Sequence, residues 1–498
     1  MLPSVEDRKL LGVPLRYIVV FLMTGIFAWN LHLRWEMLFQ YRTELGGVEH
    51  NVVHGVQKLL LGQRLYEDPE EAPFDVIQYT PAYYLLCAGI GQAMGLAGDD
   101  ARSVFLLSRT VALILNLLTC WYVFRCVRAL GRPPWAALFV AMLPFCTFWE
   151  QFYARMDALS AAATFAAVHS FLRWLNTQER RALIACSAFG AMAVLSKQSG
   201  LVVLAAPAIH LLYMRQWRAL GSYTLSCALI LTVSIAAILL TLGNASAFYQ
   251  NVVLGLRNGY GLHMYIELFN LPTYKYFVGW HVLAIYSIWR GARSSSTSMR
   301  FLAITLSASL LFALLTGLKY GSRLNYIHES LVLTFILGIA VLAHGLDATR
   351  RSALLAGFVC YGLLFAAFRT NSAMAWYRVG EPDAEHQQAL RDDELVRDVL
   401  INDLHLRPHE HIFITYREYL EHFFVGQSVL TQKDIVQYSK DRLFDYTRFH
   451  DALRDGSVRF VVTDGPMSSI TYLDSTYTGW HPVRTVQGRV ILTRDAGP

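Results

Sequence analysis

Charge is what this sequence has little of: 16% of its 498 residues are charged, against 54% hydrophobic, and the mean hydropathy is +0.34. A water-covered surface needs more ionic side chains than that, so an ordinary soluble protein is excluded and lipid must cover much of the chain. Cysteine is scarce too. Cys87, Cys120, Cys126, Cys146, Cys186, Cys227 and Cys360 stand singly in apolar stretches, with no CxxC and no histidine at metal spacing. No disulfide framework follows, and packing is their use. Lys and Arg (43) outnumber Asp and Glu (37), but +6 spread over this length gives no nucleic-acid partner. Nor is there a small-x-small cleavage site after the stretch Leu15–Leu33, which runs into Arg34, Trp35 and Glu36; it reads as a retained first span.

What is there is apolar length. Further stretches run over Val104–Val127, Trp135–Trp149, Ala158–Leu175, Leu183–Leu195, Leu201–Met214, Leu220–Leu242, Tyr276–Trp289, Phe301–Leu318, Leu331–Ala343 and Ala353–Phe368. The expectation is an α-helical polytopic membrane protein of about 11 transmembrane helices. Several stretches are nearer 14 residues than about 20, so the pair around Lys197 reads either as short spans or as a re-entrant pair. Arginines gather in alternate short connections: Arg125, Arg128 and Arg132; Arg173, Arg180 and Arg181; Arg215 and Arg218; Arg290, Arg293 and Arg300; Arg350 and Arg351. Because cytoplasmic loops retain positive charge, these lie inside with Arg8 and Lys9, and an odd span number puts the C-terminus outside. That parity requires Tyr83–Leu96, which follows Pro81, to lie on the outer surface as a helix. Residues 34–102 then form a first outer loop with a second helix at Val48–Leu61.

Residues 1–369 make the membrane module, and 370–498 a small α/β soluble domain outside it. The tail's pattern gives a charged helix near Ala384–Leu400, a strand in HIFITY, a helix near Glu418–Phe424, and strands in VRFVVTD and GRVILT. It has no phosphate-binding glycine loop.

The polar residues gather on the side opposite the basic loops. Glu49 follows Gly46-Gly47 at the start of an amphipathic helix; it reads either as a dipole-complementing acid or as a general base toward a hydroxyl. Arg155 and Asp157, in FYARMDAL, read as an interfacial ion pair or as phosphate-orienting groups. Lys197 in LSKQSGL, with Gln198 and Ser199, either snorkels to headgroups or anchors a phosphate. KYGSRLNYIHES packs Lys319, Arg323, Asn325, Tyr326, His328 and Glu329 into one connection. His328 and Glu329 without a third ligand are weak grounds for a metal; Arg323 and Tyr326 suit a charged lipid head and a sugar. The loop from Arg257 to Tyr276, with His263, Glu267 and Lys275, reads as an aromatic belt or a substrate cover.

Glu49 to Tyr66 carries G-x-x-x-L-L-x-G-x-x-L-Y after an acid, followed by QYTPAYYLL, ARMDAL and SKQSGL in that order. In these motifs, over roughly residues 15–370, the chain resembles the C-type membrane glycosyltransferases, the branch of protein O-mannosyltransferases, aminoarabinose transferases and Rgt-type transferases. The resemblance implies that fold and a sugar on a polyprenyl phosphate as donor. It implies a glycan, glycolipid or protein acceptor, in a bacterial inner membrane. It makes Glu49 the base; Val48 stands where an acid is commoner, so Glu44 or Asp75 are alternatives. Arg155, Lys197 and Arg323 would neutralise the lipid phosphate, with Tyr79, Asp157, Gln198, Asn325, Tyr326 and His328 also at the substrate. Inversion is implied, and a divalent metal is left open. Two rival readings are a lipid-linked sugar flippase and an envelope-assembly scaffold. A transporter, however, places ionisable residues deep in several spans, whereas here they cluster at one end.

Overall fold

The computed structural model describes residues 9–10, 13–40, 48–257, 259–264, 277–319, 324–342, 348–376, 384–416, 419–431, 443–464 and 479–494. The chain forms two compact units. One comprises Met1–Leu38, Thr110–Ser234 and Tyr260–Glu381; the other comprises Phe39–Arg109, Ile235–Gly259 and Pro382–Pro498.

Among the described residues, a helix stands at each of the eleven apolar stretches. They are α1 (Leu15–Leu38), α4 (Ala101–Ala129), α5 (Pro134–Thr147), α6 (Met156–Thr177), α7 (Arg180–Ser196), α8 (Leu201–Tyr213) and α9 (Trp217–Thr241). After α10 (Ala245–Val252) come α11 (Val278–Ala292), α12 (Thr297–Gly317), α13 (His328–Leu342) and α14 (Ala348–Trp376). Six described segments are long and apolar enough to cross a membrane: Leu15–Leu38, Ala101–Ala129, Trp217–Thr241, Thr297–Gly317, Leu324–Leu342 and Arg350–Ala375. Leu225, Leu229, Val233 and Leu240 on α9 are open, a face suited to lipid.

The helical unit is held by a large apolar core, with a smaller cluster around Leu33, Phe145, Trp149 and Phe152. Phe139, Val140 and Leu143 of α5 share the large core with Phe165 and Phe171 of α6, Leu302 and Leu306 of α12, and Leu331, Phe335 and Ile339 of the buried α13. Cys126, Cys146 and Cys186 lie in it; all seven cysteines are unpaired, six of them buried, whereas Cys360 is exposed and does not pack as the sequence reading expected. α1 runs past the predicted Leu33 because Arg34 is buried rather than interfacial. Its guanidinium donates to the carbonyls of Phe145 (2.5 Å) and Phe148 (2.9 Å) and stacks over the rings of Phe145 and Trp149. Arg369 likewise donates to the Thr147 carbonyl (3.0 Å). The end of α5, whose last carbonyls have no helical donor, is thus satisfied by two arginines.

The second unit contains α2 (Val48–Leu60), α3 (Ala82–Ala93), α15 (Ala384–Asp398) and α16 (Thr447–Asp455). At 12 residues, α3 is about 18 Å long, too short to span about 30 Å of hydrocarbon. It packs on α2 so closely that a Cβ on Gly55 would meet the Tyr84 ring at 2.6 Å. β1 (Lys9–Leu10) and β2 (Val13–Pro14) form a short antiparallel pair at the start of the chain. β3 (His411–Ile414), β4 (Ser428–Val429), β5 (Val458–Thr463), β6 (Trp480–Val486) and β7 (Arg489–Arg494) make a mixed sheet in the order β4-β3-β5-β7-β6. β3 pairs in parallel with β4 and β5, and β7 runs antiparallel to β5 and β6. The β6–β7 hairpin turns on Gln487 and Gly488, both at positive φ, the two-residue turn that matches strand twist. The helix expected near Glu418–Phe424 is a 3-10 turn, Tyr419–Phe423. α16, β4 and β6 are additions to the sequence reading. Apolar residues from both faces of the sheet close the unit's cores, Ile412 and Val462 on one and Phe413, Val461 and Phe74 on the other.

Candidate active site

In the helical unit, three separate connections meet at one end of the helices. α6 begins at Met156 with Arg155 as its extended cap, so Asp157 lies in the first turn, where the helix dipole favours an anion. Lys197 ends α7 in an extended conformation, and a 3-10 turn, Gln198–Gly200, leads into α8. That turn is tight: a Cβ on Gly200 would sit 2.3 Å from the Ala193 carbonyl carbon. Gly200→Ala is therefore expected to displace Lys197 and lower any activity of the site more than tenfold, and thermal unfolding should fall by several degrees. An unchanged melting temperature and rate would contradict the geometry.

The Lys197 ammonium donates to Asp157 Oδ1 at 2.6 Å. Asn325 Nδ2 donates to the same oxygen at 3.1 Å, and the ammonium sits 4.8 Å from the Tyr326 ring centroid. Asp157 and Lys197 are 5% and 6% exposed, so this pair is far from an ordinary surface salt bridge. Lys197, Ser199, Thr305, Asn325, Tyr326 and Glu329 line a cavity of about 20 Å³. That is room for about one water, so the cavity suits a small polar group and not a sugar ring.

His328 behaves differently from its neighbours. It is fully buried, bonded through Nδ1 to Gln151 and edge-on to Phe148, and it does not line the cavity. Those are the contacts of a packed core histidine. Arg323, Glu267 and Lys275 lie outside the described residues.

In the second unit, α2 is buried on every side, which its amphipathic pattern did not predict. Glu49 is fully buried and receives a two-pronged bond from Arg109, Nε to Oε1 and Nη2 to Oε2, both 2.7 Å. Arg109 also donates to the Gln40 carbonyl at 2.7 Å. One turn of α2 after another is tied in the same way. His50 meets Glu421 at 2.5 Å, and Gln57 exchanges bonds with the ring and carbonyl of His422 (2.7 and 3.0 Å). His54 meets Asp75 at 3.0 Å, and Lys58 meets Glu67 at 2.5 Å and Asp75 at 3.6 Å. Thr431 donates its hydroxyl to Asp75 at 2.7 Å. Burial opposes ionisation of Asp75, but His54 and Lys58 outweigh it and hold the carboxyl well below the usual carboxylate range. Burial, with His50 and His54 nearby, pushes His422 well below an ordinary histidine, so it is neutral. Asp75 is thus committed to a network, and Glu44 lies outside the described residues. Tyr79 belongs to this unit, where its carbonyl accepts the Tyr66 hydroxyl at 2.8 Å.

Arg109, Glu421 and His422 escaped the sequence reading. Arg109 had a signal: it is a cation inside the apolar stretch Val104–Val127, sixteen residues before Arg125 of the basic connection, and charge there needs a partner. Glu421 and His422 had none, because their partners on α2 are more than 350 residues away. As for a metal, among the described residues no three His, Cys, Asp or Glu side chains converge to hold one.

No protein-family model and no curated protein matches the sequence. Solved structures do match. ArnT from Cupriavidus metallidurans superposes with a TM-score of 0.62 at 13% identity, over 95% of this chain and 99% of that one. The same figures hold for ArnT bound to undecaprenyl phosphate. This is the C-type glycosyltransferase fold. An oligosaccharyltransferase from Archaeoglobus fulgidus, in a complex with zinc and sulfate, matches at a TM-score of 0.50 and 14% identity, over 89% of this chain and 67% of that one. The C-type fold thus extends over nearly the whole chain, α/β part included.

Proposed function

We propose that this protein is a membrane glycosyltransferase. It moves a sugar from a polyprenyl-phosphate donor to a hydroxyl of a glycan, glycolipid or protein, with inversion. The observation that carries this reading is the Lys197–Asp157–Asn325–Tyr326 cluster at the helix ends of a fold whose ArnT representative is bound to undecaprenyl phosphate. The arginine-rich connections support a multi-pass protein of a bacterial inner membrane, N-terminus inside and the α/β domain outside.

Breaking the bond between the anomeric carbon and phosphate leaves positive charge on the sugar and negative charge on the phosphate oxygens. A fixed cation beside those oxygens lowers the barrier because it needs no reorganisation as the charge forms. Lys197 is that cation. Asp157 and Asn325 aim it, and the ring of Tyr326 offers it a second attractive surface. Arg155, capping α6, would add to the same field, and by resemblance so would Arg323. A phosphate leaves readily without a proton, so one carboxylate suffices, to take the acceptor's proton. By resemblance it is Glu49, whose carboxylate Arg109 holds through both oxygens.

The test is purified protein in lipid with a radiolabelled polyprenyl-phosphate sugar and envelope glycans as acceptors. Wild type should transfer label and Glu49→Gln should not. If Glu49→Gln transfers as fast as wild type, the base lies elsewhere. If wild type neither transfers label nor releases lipid phosphate with any acceptor, the enzymatic reading fails.

A further inference from the structure

The turn Tyr419–Phe423 sets two fully buried side chains of the tail, Glu421 and His422, against the helix that carries Glu49. α15 holds that turn in shape: its buried Asp393 accepts from the Leu420 N–H at 3.0 Å and from the Tyr416 hydroxyl at 3.3 Å. From it, His422 closes a chain of contacts that begins and ends on α2. Its ring meets Phe105 edge-on, with 4.9 Å between centroids, and Phe105 lies 5.7 Å from the Arg109 guanidinium that grips Glu49. The same ring meets that of His50, the residue after Glu49, at 4.3 Å, and His50 meets Glu421 at 2.5 Å.

His50, His54 and Gln57 follow one another at spacings of four and three, so they form one stripe of α2. The tail holds that whole stripe. Glu421 takes His50, His422 takes both ends of the Gln57 amide, and Thr431 shares Asp75 with His54. Apolar packing alone would let the helix roll by part of a turn. These bonds forbid it, because rolling would strand several buried polar groups at once. Glu49 stands one residue, about 100° of helix, from His50, so whatever fixes the rotation of α2 also aims the Glu49 carboxylate.

We propose that Glu421 and His422 of the α/β tail are positioning residues for sugar transfer: they lock the rotation of α2 and thereby aim Glu49 at the acceptor hydroxyl. The tail is then part of the acceptor-activating machinery. This rests on the glycosyl-transfer reading above, with Glu49 as the base. The lock also has a titratable centre. The groups facing His422 are His50 and His54 of α2, with Glu421 and the Lys58-held Asp75 bonded to them, and Arg109 with Glu49 against Phe105. Burial first, then His50 and His54, keep the docked His422 well below an ordinary histidine. Released from α2, it takes up a proton near about pH 6.5, so the undocked state binds a proton that the docked state refuses. Docking therefore weakens as pH falls below about 6.5, by up to about tenfold for each pH unit.

Steady-state transfer and hydrogen exchange at α2, both on the full-length protein in lipid between about pH 5.5 and about pH 7.5, test this. His422→Leu removes the bond to Gln57. It should lower kcat about tenfold or more, leave KM for the donor within about twofold, and speed exchange of the α2 amides. His422→Asn keeps an N–H where the ring Nδ1 stands and cannot take a proton, so it should recover most of the wild-type kcat at about pH 7.5. From about pH 6.5 to about pH 5.5, protection of α2, corrected for intrinsic exchange, should fall about tenfold more in wild type than in His422→Asn. His422→Leu with wild-type kcat overturns the inference and leaves glycosyl transfer standing. An acid loss of protection equal in wild type and His422→Asn does the same. So does a loss of rate equal in the two variants, because a merely structural defect has no reason to follow one hydrogen bond. If Glu49→Gln transfers at the wild-type rate, the base and this inference fall together while transfer stands; no transfer by wild type overturns all three.

Discussion

Replacing Lys197 with methionine is expected to lower sugar transfer at least about a hundredfold, the loss seen when a preorganised charge partner is removed from a transition state. The effect is large because Lys197 cannot be substituted by a neighbour: its ammonium is positioned by Asp157 at 2.6 Å, and its backbone by a turn in which Gly200 has no room for a Cβ. Lys197→Arg should retain part of the rate, since the charge stays but the fork geometry differs. Lys197→Met also strands the buried Asp157, so lost folding could imitate lost catalysis. The double variant Lys197→Met with Asp157→Leu removes both charges and should fold well while remaining inactive. An active double variant would mean that the pair is structural.

Arg109→Met is expected to be the most destabilising single substitution of the second unit, by about 3–5 kcal/mol, because it leaves the Glu49 carboxylate buried without its partner. Thermal unfolding in detergent, followed by exposure of buried cysteines, would measure it. Pairing the change with Glu49→Met should recover much of the loss, since both charges then leave together. That double variant should still be inactive if Glu49 is the base. A stable Arg109→Met protein would mean that the two-pronged bond contributes little and that Glu49 is reached by water.

Much of this was legible in the sequence, for physical reasons. Spans announce themselves because lipid demands unbroken apolar length, and Tyr83–Leu96 could be set apart because it follows Pro81 and, counted as a span, would reverse the basic-loop pattern. The landmarks ARMDAL and SKQSGL and the Asn325–Tyr326 pair named residues that the helical unit brings together, Asp157, Lys197, Asn325 and Tyr326. The structure added that Asp157 binds Lys197 and that Asn325 completes the group. Pairings were not legible. Glu49 and Arg109 are 60 residues apart, and His50 meets an acid in the tail, Glu421. An amphipathic pattern describes one neighbour, whereas most residues of α2 are buried, Lys58 and its histidines included. The edge strand Trp480–Val486 was missed because most of its residues are exposed and no alternation marks it. α16 is short, and only Phe449 and Leu453 anchor it.

The central claim is that the Lys197 cluster holds a lipid phosphate. Electron cryomicroscopy of the protein in nanodiscs with undecaprenyl phosphate tests it most directly. The account predicts phosphate density within about 4 Å of the Lys197 ammonium, lost in Lys197→Met. Phosphate density bound elsewhere, with Lys197 still joined to Asp157 alone, would contradict it.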